Sequence, residues 1–176
     1  MLCGRMFMRR IFNQGLARLA ARWPALSDKL VASFSPQVST SIPWSPVTKP
    51  LERSKIALVT TAGVHHKDQP GFDMRAADGD YSFRSIDAQT IAADYTITHD
   101  YYDHRDADRD LNIVFPITRL FEMHAAGCIG AVSERHFAFM GHITDSKTHG
   151  LIHQTAPRVA RMLKQLGVDA VLVTPA

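Results

Sequence analysis

The sequence predicts a three-layer α/β domain built on a mainly parallel sheet, and three observations carry that reading. Ile56-Ala57-Leu58-Val59-Thr60-Thr61 is a short apolar run rich in β-branched residues and closed by Ala62-Gly63, the pattern of a buried parallel strand feeding a loop. Thr155 to Gly167 reads as a helix, and Asp169-Ala170-Val171-Leu172-Val173-Thr174 follows at once, the helix, glycine, strand order of a crossover between parallel strands. The chain has 176 residues, of which 45% are hydrophobic and 21% charged, enough to bury one core and ordinary for one globular domain.

The elements follow in order. Phe12, Leu16, Leu19 and Trp23 recur at helical spacing, with Arg9, Arg18 and Arg22 between them, so residues 1–34 read as a basic amphipathic helical arm. Ser27 is placed to cap a second helix over Asp28 to Phe34. Residues 35–55 carry Pro36, Pro43, Pro46 and Pro50 among Ser and Thr, which removes backbone donors too often for helix or ladder and predicts an extended connector packed through Trp44. Residues 56–176 form the α/β domain. Within it the spacing predicts a short strand between Tyr81 and Ile86 in a Gly/Asp-rich loop region, and another at Ile113-Val114-Phe115. Pro116 then opens a helix with Ile117, Leu120, Phe121 and His124 on one face and Gly127 as its stop. A strand over Phe137 to Met140 precedes the Thr155 helix, whose Val159, Met162, Leu163 and Leu166 point inward. Together these make the fold class Rossmann-like, with one layer missing after Ala176.

Composition excludes several functions. The formal charge of +3 is uneven, because residues 1–55 hold nine Lys or Arg against Asp28 and Glu52, leaving eleven basic and fifteen acidic groups beyond. A nucleic-acid surface needs a basic patch on the folded domain, so no nucleic-acid partner is expected. Nothing approaches eighteen consecutive apolar residues, so no membrane span is expected. Cys3 and Cys128 form no Cys-x-x-Cys pair, which disfavours a disulfide framework or thiolate zinc site and fits a reducing, cytoplasmic setting. Cys128, among apolar neighbours, reads as a buried inert thiol.

The densest polar run is His99-Asp100-Tyr101-Tyr102-Asp103-His104-Arg105-Asp106-Ala107-Asp108-Arg109-Asp110-Leu111-Asn112. Its two histidines, five aspartates and two arginines suit acid/base work, a metal site formed by His99, Asp103 and His104, or a solvated network of ion pairs. All nine histidines fall between His65 and His153, and His65 and His66 follow the carboxyl end of the first strand, where ligands bind in open α/β sheets.

Several stretches carry a specific resemblance. Ile42-Pro43-Trp44-Ser45-Pro46-Val47-Thr48-Lys49-Pro50, Ala57 to His65, His99 to Asn112 with Val114-Phe115-Pro116, Arg135 to His142, and Thr155-Ala156-Pro157 through Pro175 resemble the glycine/sarcosine/betaine/D-proline reductase selenoprotein B family. The likeness runs from about residue 42 to the C-terminus. It implies an oxidoreductase component that reductively cleaves a C–N bond of a small amino acid or betaine, working with partner subunits. In that family the last strand leads at once to a selenocysteine or cysteine, two residues, and a cysteine. The resemblance therefore implies a selenocysteine immediately after Ala176, read as a stop at a UGA codon, and no cofactor within the residues given. Chemistry then points to His99, Asp103, His104 and His142 as candidate catalytic groups, and to His65, Asp106, Asp108, Arg109 and His136 as candidate substrate-binding groups. A noncatalytic binding or assembly protein, and a metal-dependent hydrolase using the His/Asp cluster, are the alternatives.

Overall fold

A computed structural model describes residues 2–32, 44–89 and 94–176. The chain forms two compact units: one takes in the N-terminal helices with Asp100–Asp103, the other Lys49–His99 with His104–Ala176.

In the first unit, α1 (Leu2–Arg22) and α2 (Pro24–Ala32) are joined at Trp23. The expected apolar stripe is not buried: Phe12, Leu19 and Trp23 are exposed, and the apolar residues of α1 do not gather on one face. The second helix begins at Pro24 rather than after Ser27, because proline is preorganised for a first helical position and its missing N–H costs nothing there. Its expected end at Phe34, and the prolines of the connector as far as Pro43, lie outside the described residues. Trp44 does not pack; it is 86% exposed.

The second unit is mixed α/β around a mainly parallel sheet. β1 (Lys55–Thr60) is its centre. On one side β1 pairs in parallel with β7 (Ala170–Thr174) through five rungs, from Ile56 opposite Ala170 to Thr60 opposite Thr174. Asp169 secures the entry to β7, since its Oδ2 accepts from Lys49 Nζ and from the Lys55 backbone N–H, both at 2.8 Å. The Lys49 ammonium holds that carboxyl below the usual range. On the other side run β5 (Ala131–Val132) and β6 (Arg135–Phe139), parallel to β1, and beyond β6 lies antiparallel β3 (Phe83–Asp87). That antiparallel edge departs from an all-parallel doubly wound sheet. β2 (Val64–His66) and β4 (Tyr95–Ile97) form a separate two-stranded antiparallel sheet.

β5 and β6 are one lane interrupted by a bulge. Ile56 pairs with Val132 and Val59 with Phe137, so three steps on β1 face five on its neighbour. The bulge leaves the Leu58 N–H without a ladder partner, and His136 Nδ1 accepts it at 2.9 Å. His136 is fully buried, its ring edge-on to Phe115 at 5.8 Å between centroids. An Nδ1 that accepts must be unprotonated, and burial pushes the imidazole down to about 4.

Alternation along the strands divides the core between two faces. Ala57, Phe137 and Phe139 pack against Val159 and Leu163 of α6 (Ala156–Gln165), with Met162 and Leu166 partly buried beside them. On the opposite face Leu58, Ile86 and His136 are buried with Phe115, and Phe115 meets Tyr95 edge-to-face at 6.1 Å. The crossover to β7 is longer than expected, since α5 (Asp145–Gly150) and a π-helical turn, Leu151–Thr155, precede α6. α4 (Ile117–Ala125) follows Pro116 as expected, burying Ile117 and Leu120.

Two expectations fail locally. Ile113-Val114-Phe115 is not a strand; Leu111–Ile113 is a 3₁₀ turn, nucleated where Asp110 Oδ1 accepts the Asn112 N–H at 3.0 Å. Cys128 is exposed rather than buried, because Gly127, at φ 73°, turns the chain out of α4 and Ile129 takes the buried position instead. Among the described residues no helix is long and apolar enough to cross a membrane.

β7 has the composition of an interior strand but, among the described residues, pairs on one side only. Val171, Leu172 and Val173 are 39%, 44% and 59% exposed, whereas Ala57 and Leu58 beside them are fully buried. Hydrogen exchange should therefore find the outward Val171 and Val173 amides fast and the Leu172 amide slow; protection at all three would show that the edge is covered in solution.

The bulge gives a second prediction. His136→Leu strands the Leu58 N–H and should cost about 1–3 kcal/mol, lowering Tm by several degrees, while His136→Asn retains an acceptor and should lose less. Because the folded pKa, about 4, lies below the unfolded value near 6.5, wild-type stability is complete above pH 6.5 and declines as pH falls toward 4. The decline should be on the order of 3 kcal/mol, and both variants should flatten it in urea titrations. An unchanged acid slope would remove this role from His136.

Candidate functional site

The carboxyl ends of β1, β6 and β7 converge on one small region. The equal register of β1 and β7 brings Thr60 and Thr174 side by side, and their hydroxyls donate to the same carbonyl oxygen, that of Val114, at 2.8 and 2.7 Å. One loop is thereby fastened to two strand ends. The chain leaves β1 through Thr61, whose N–H donates to the Thr174 carbonyl at 3.1 Å, and whose hydroxyl accepts the Ala176 N–H at 3.2 Å.

Gly63 decides what comes next. It sits at φ 72°, donates its N–H to the Phe139 carbonyl and accepts the Thr98 N–H, both at 2.9 Å. A Cβ at Gly63 would overlap the Thr98 carbonyl oxygen and lie 3.2 Å from His99 Cβ. Only glycine lets residues 98 and 99 pass this close, which delivers His99 to the strand ends with 4% of its surface exposed.

Gly141 faces the same region from the end of β6. A Cβ placed there would lie 3.1 Å from the Thr61 carbonyl oxygen, 3.2 Å from that of Ala176 and 3.3 Å from His99 Nε2. Gly141 is not in the left-handed region, so close approach rather than backbone conformation is what glycine provides. The His99 imidazole, the Thr61 carbonyl oxygen and the Ala176 backbone oxygen therefore all border the place a Gly141 Cβ would take, at the end of a parallel sheet. Such an imidazole can hold or deliver a proton, and such oxygens can accept from an amine or ammonium.

His65 supports His99 at one remove. It is 4% exposed; its Nδ1 donates to the His66 carbonyl and its Nε2 accepts from the Thr98 hydroxyl, both at 2.8 Å. The ring fixes the residue that precedes His99. His142 follows Gly141, but its Nε2 donates outward to the Ala77 carbonyl at 3.0 Å.

The dense run from His99 to Asn112 passes from the strand ends through a short helix to the 3₁₀ turn at Leu111. His99 belongs to the strand ends, whereas Asp103 belongs to the unit of the N-terminal helices. His104 Nδ1 contacts Asp108 at 2.8 Å across the short helix α3 (Arg105–Arg109). Arg109 pairs with Asp106 at 3.1 Å, with both side chains about four-fifths exposed, so that pair contributes little. His136 lies inside the sheet at its bulge. Among the described residues no three His, Cys, Asp or Glu could hold a metal together. Sequence reasoning missed Thr61, Gly141 and the paired threonines. Thr60 and Thr174, each closing an apolar parallel-strand run, were the available signal.

The sequence model of glycine/sarcosine/betaine reductase selenoprotein B matches residues 30–176. D-proline reductase subunit gamma of Acetoanaerobium sticklandii is 40% identical over 131 residues, 74% of this chain and 52% of the relative. Glycine reductase complex component B subunit gamma of Carboxydothermus hydrogenoformans is 32% identical over 136 residues, 76% and 30% of the two chains. Sarcosine reductase complex component B subunit beta of Peptoclostridium acidaminophilum is 25% identical over 150 residues, 84% and 34%. The chain thus spans between about a third and a half of the length of these relatives. No solved structure matches it. With the family pattern running through the strand ends and the loops that frame His99, the chain belongs to the glycine/sarcosine/betaine reductase selenoprotein B family.

Proposed function

We propose that this chain is a component of a reductase complex that cleaves the C–N bond of a small amino acid or betaine, and that its contribution to the site is the carboxyl edge of the sheet around His99. The observation that carries the reading is the meeting of His99, Gly141 and Ala176 at the end of β7. A small substrate amine would lie against the Thr61 and Ala176 carbonyl oxygens. His99 would hold the proton that the nitrogen takes when its bond to carbon breaks, and the closely packed glycines would exclude water. His65 would keep His99 in position through Thr98. The family resemblance adds a selenocysteine or cysteine following Ala176, and the residues present would suit one, because Ala176 and the His99 imidazole both border the place a Gly141 Cβ would take. Such a group would supply the electron pair that attacks carbon, with thiols as the source of electrons in a reducing cytoplasm. Partner subunits would complete the complex, as the names of the relatives indicate for those proteins.

In a reconstituted complex assayed with glycine, sarcosine, betaine and D-proline, His99→Gln should lower kcat by about 10²-fold or more at unchanged Tm. His104→Gln should stay within about twofold, since that ring is engaged with Asp108 on α3. Full turnover by His99→Gln would sink the reading. The nucleotides after the Ala176 codon test the redox residue: an in-frame UGA with a cysteine codon three places later supports it, and UAA or UAG removes it. A noncatalytic assembly role would leave turnover by the complex unchanged in His99→Gln.

A further inference from the structure

Two imidazoles stand outside the site just described. His149 lies near the end of α5 and His153 within the π-helical turn that follows, four residues on, and both are exposed. Residues at that spacing share a helix face. Their ring centroids are 4.3 Å apart with planes inclined by 46°. Neither ring has a hydrogen-bond or ion-pair partner among the described residues, so polar contacts do not account for the pairing.

The spacing is that of two ligands on one ion. An imidazole nitrogen binds a first-row transition ion at about 2.1 Å, which sets each ring centroid about 3.2 Å from the metal; two rings on a tetrahedral ion would be about 5.3 Å apart, and two cis rings on a square-planar or octahedral ion about 4.6 Å apart. The observed 4.3 Å is within a few tenths of an ångström of the latter value. The π turn is the second feature, because such turns reposition side chains within a helix and recur at functional sites. The pair also occupies the first half of the crossover that leaves the carboxyl end of β6, the end of the sheet where His99 lies.

We propose that His149 and His153 chelate one divalent transition metal of the imidazole-preferring class that takes ligands at a right angle, Ni²⁺ or Cu²⁺, with water in the remaining positions. Mg²⁺ and Ca²⁺ are disfavoured because they select oxygen ligands. With no third protein ligand among the described residues, the site is an exchangeable one rather than a structural clamp.

Isothermal titration of the 176-residue chain with NiCl₂ in a non-chelating buffer tests this. One ion per chain is expected, with at least about tenfold weaker binding in His149→Gln and in His153→Gln, and little further loss in the double variant. Circular dichroism should show the helices unchanged in each. His124→Gln and Cys128→Ser should bind as the wild type does, which separates the pair from another histidine and from the exposed thiol. Absence of saturable binding, its survival in the double variant, or its loss in Cys128→Ser would overturn the proposal.

Discussion

The five-rung parallel ladder between β1 and β7 is the constraint on which the rest depends. Because the two strands end in register, Thr60 and Thr174 reach one carbonyl oxygen, and the loop carrying Val114 and Phe115 is tied over both. Phe115 then closes the core face shared by Leu58 and His136. A one-residue slip would reverse the faces of Val171, Leu172 and Val173 and separate the two hydroxyls. Packing, loop placement and site geometry thus rest on one register.

The bulge between β5 and β6 shows how a polar group becomes structural. Two extra residues on that lane break the hydrogen-bond alternation beside β1, and a buried N–H without an acceptor is costly. The neutral imidazole of His136 fills the gap. By chemistry alone that histidine resembled a substrate ligand; its surroundings make it a backbone acceptor held unprotonated by burial. His65 is similar in kind, both ring nitrogens being engaged by its own loop and by Thr98. His99 differs because glycines at 63 and 141 bring it against open strand ends rather than into the sheet.

The residues matched to the reductase selenoprotein B family include all of these strand ends. The relatives are named as subunits of D-proline, glycine and sarcosine reductases, and this chain aligns with only part of each. Among the described residues β7 is an edge strand with the apolar composition of an interior one, and its Val171, Leu172 and Val173 are exposed. The exposed charges of α3 lie in a solvated network, where i,i+3 and i,i+4 pairs add little to stability.

What the sequence determined by itself was the local grammar. The β-branched run at 56–61, the glycine stop at 167 and the run at 170–174 specified two parallel strands with a helix before the second. Pro116 and Gly127 bounded α4. These signals are legible because they depend on neighbours a few residues away. The order His99 to Asn112 looked like one site; in the fold His104 pairs with Asp108 and Arg109 with Asp106 on α3, since closeness along the chain does not fix which element each side chain joins. Only the folded sheet could show that Thr61, His99, Gly141 and Ala176 meet, because three of the four contribute backbone atoms or an absence of side chain, and neither leaves a periodic trace in sequence.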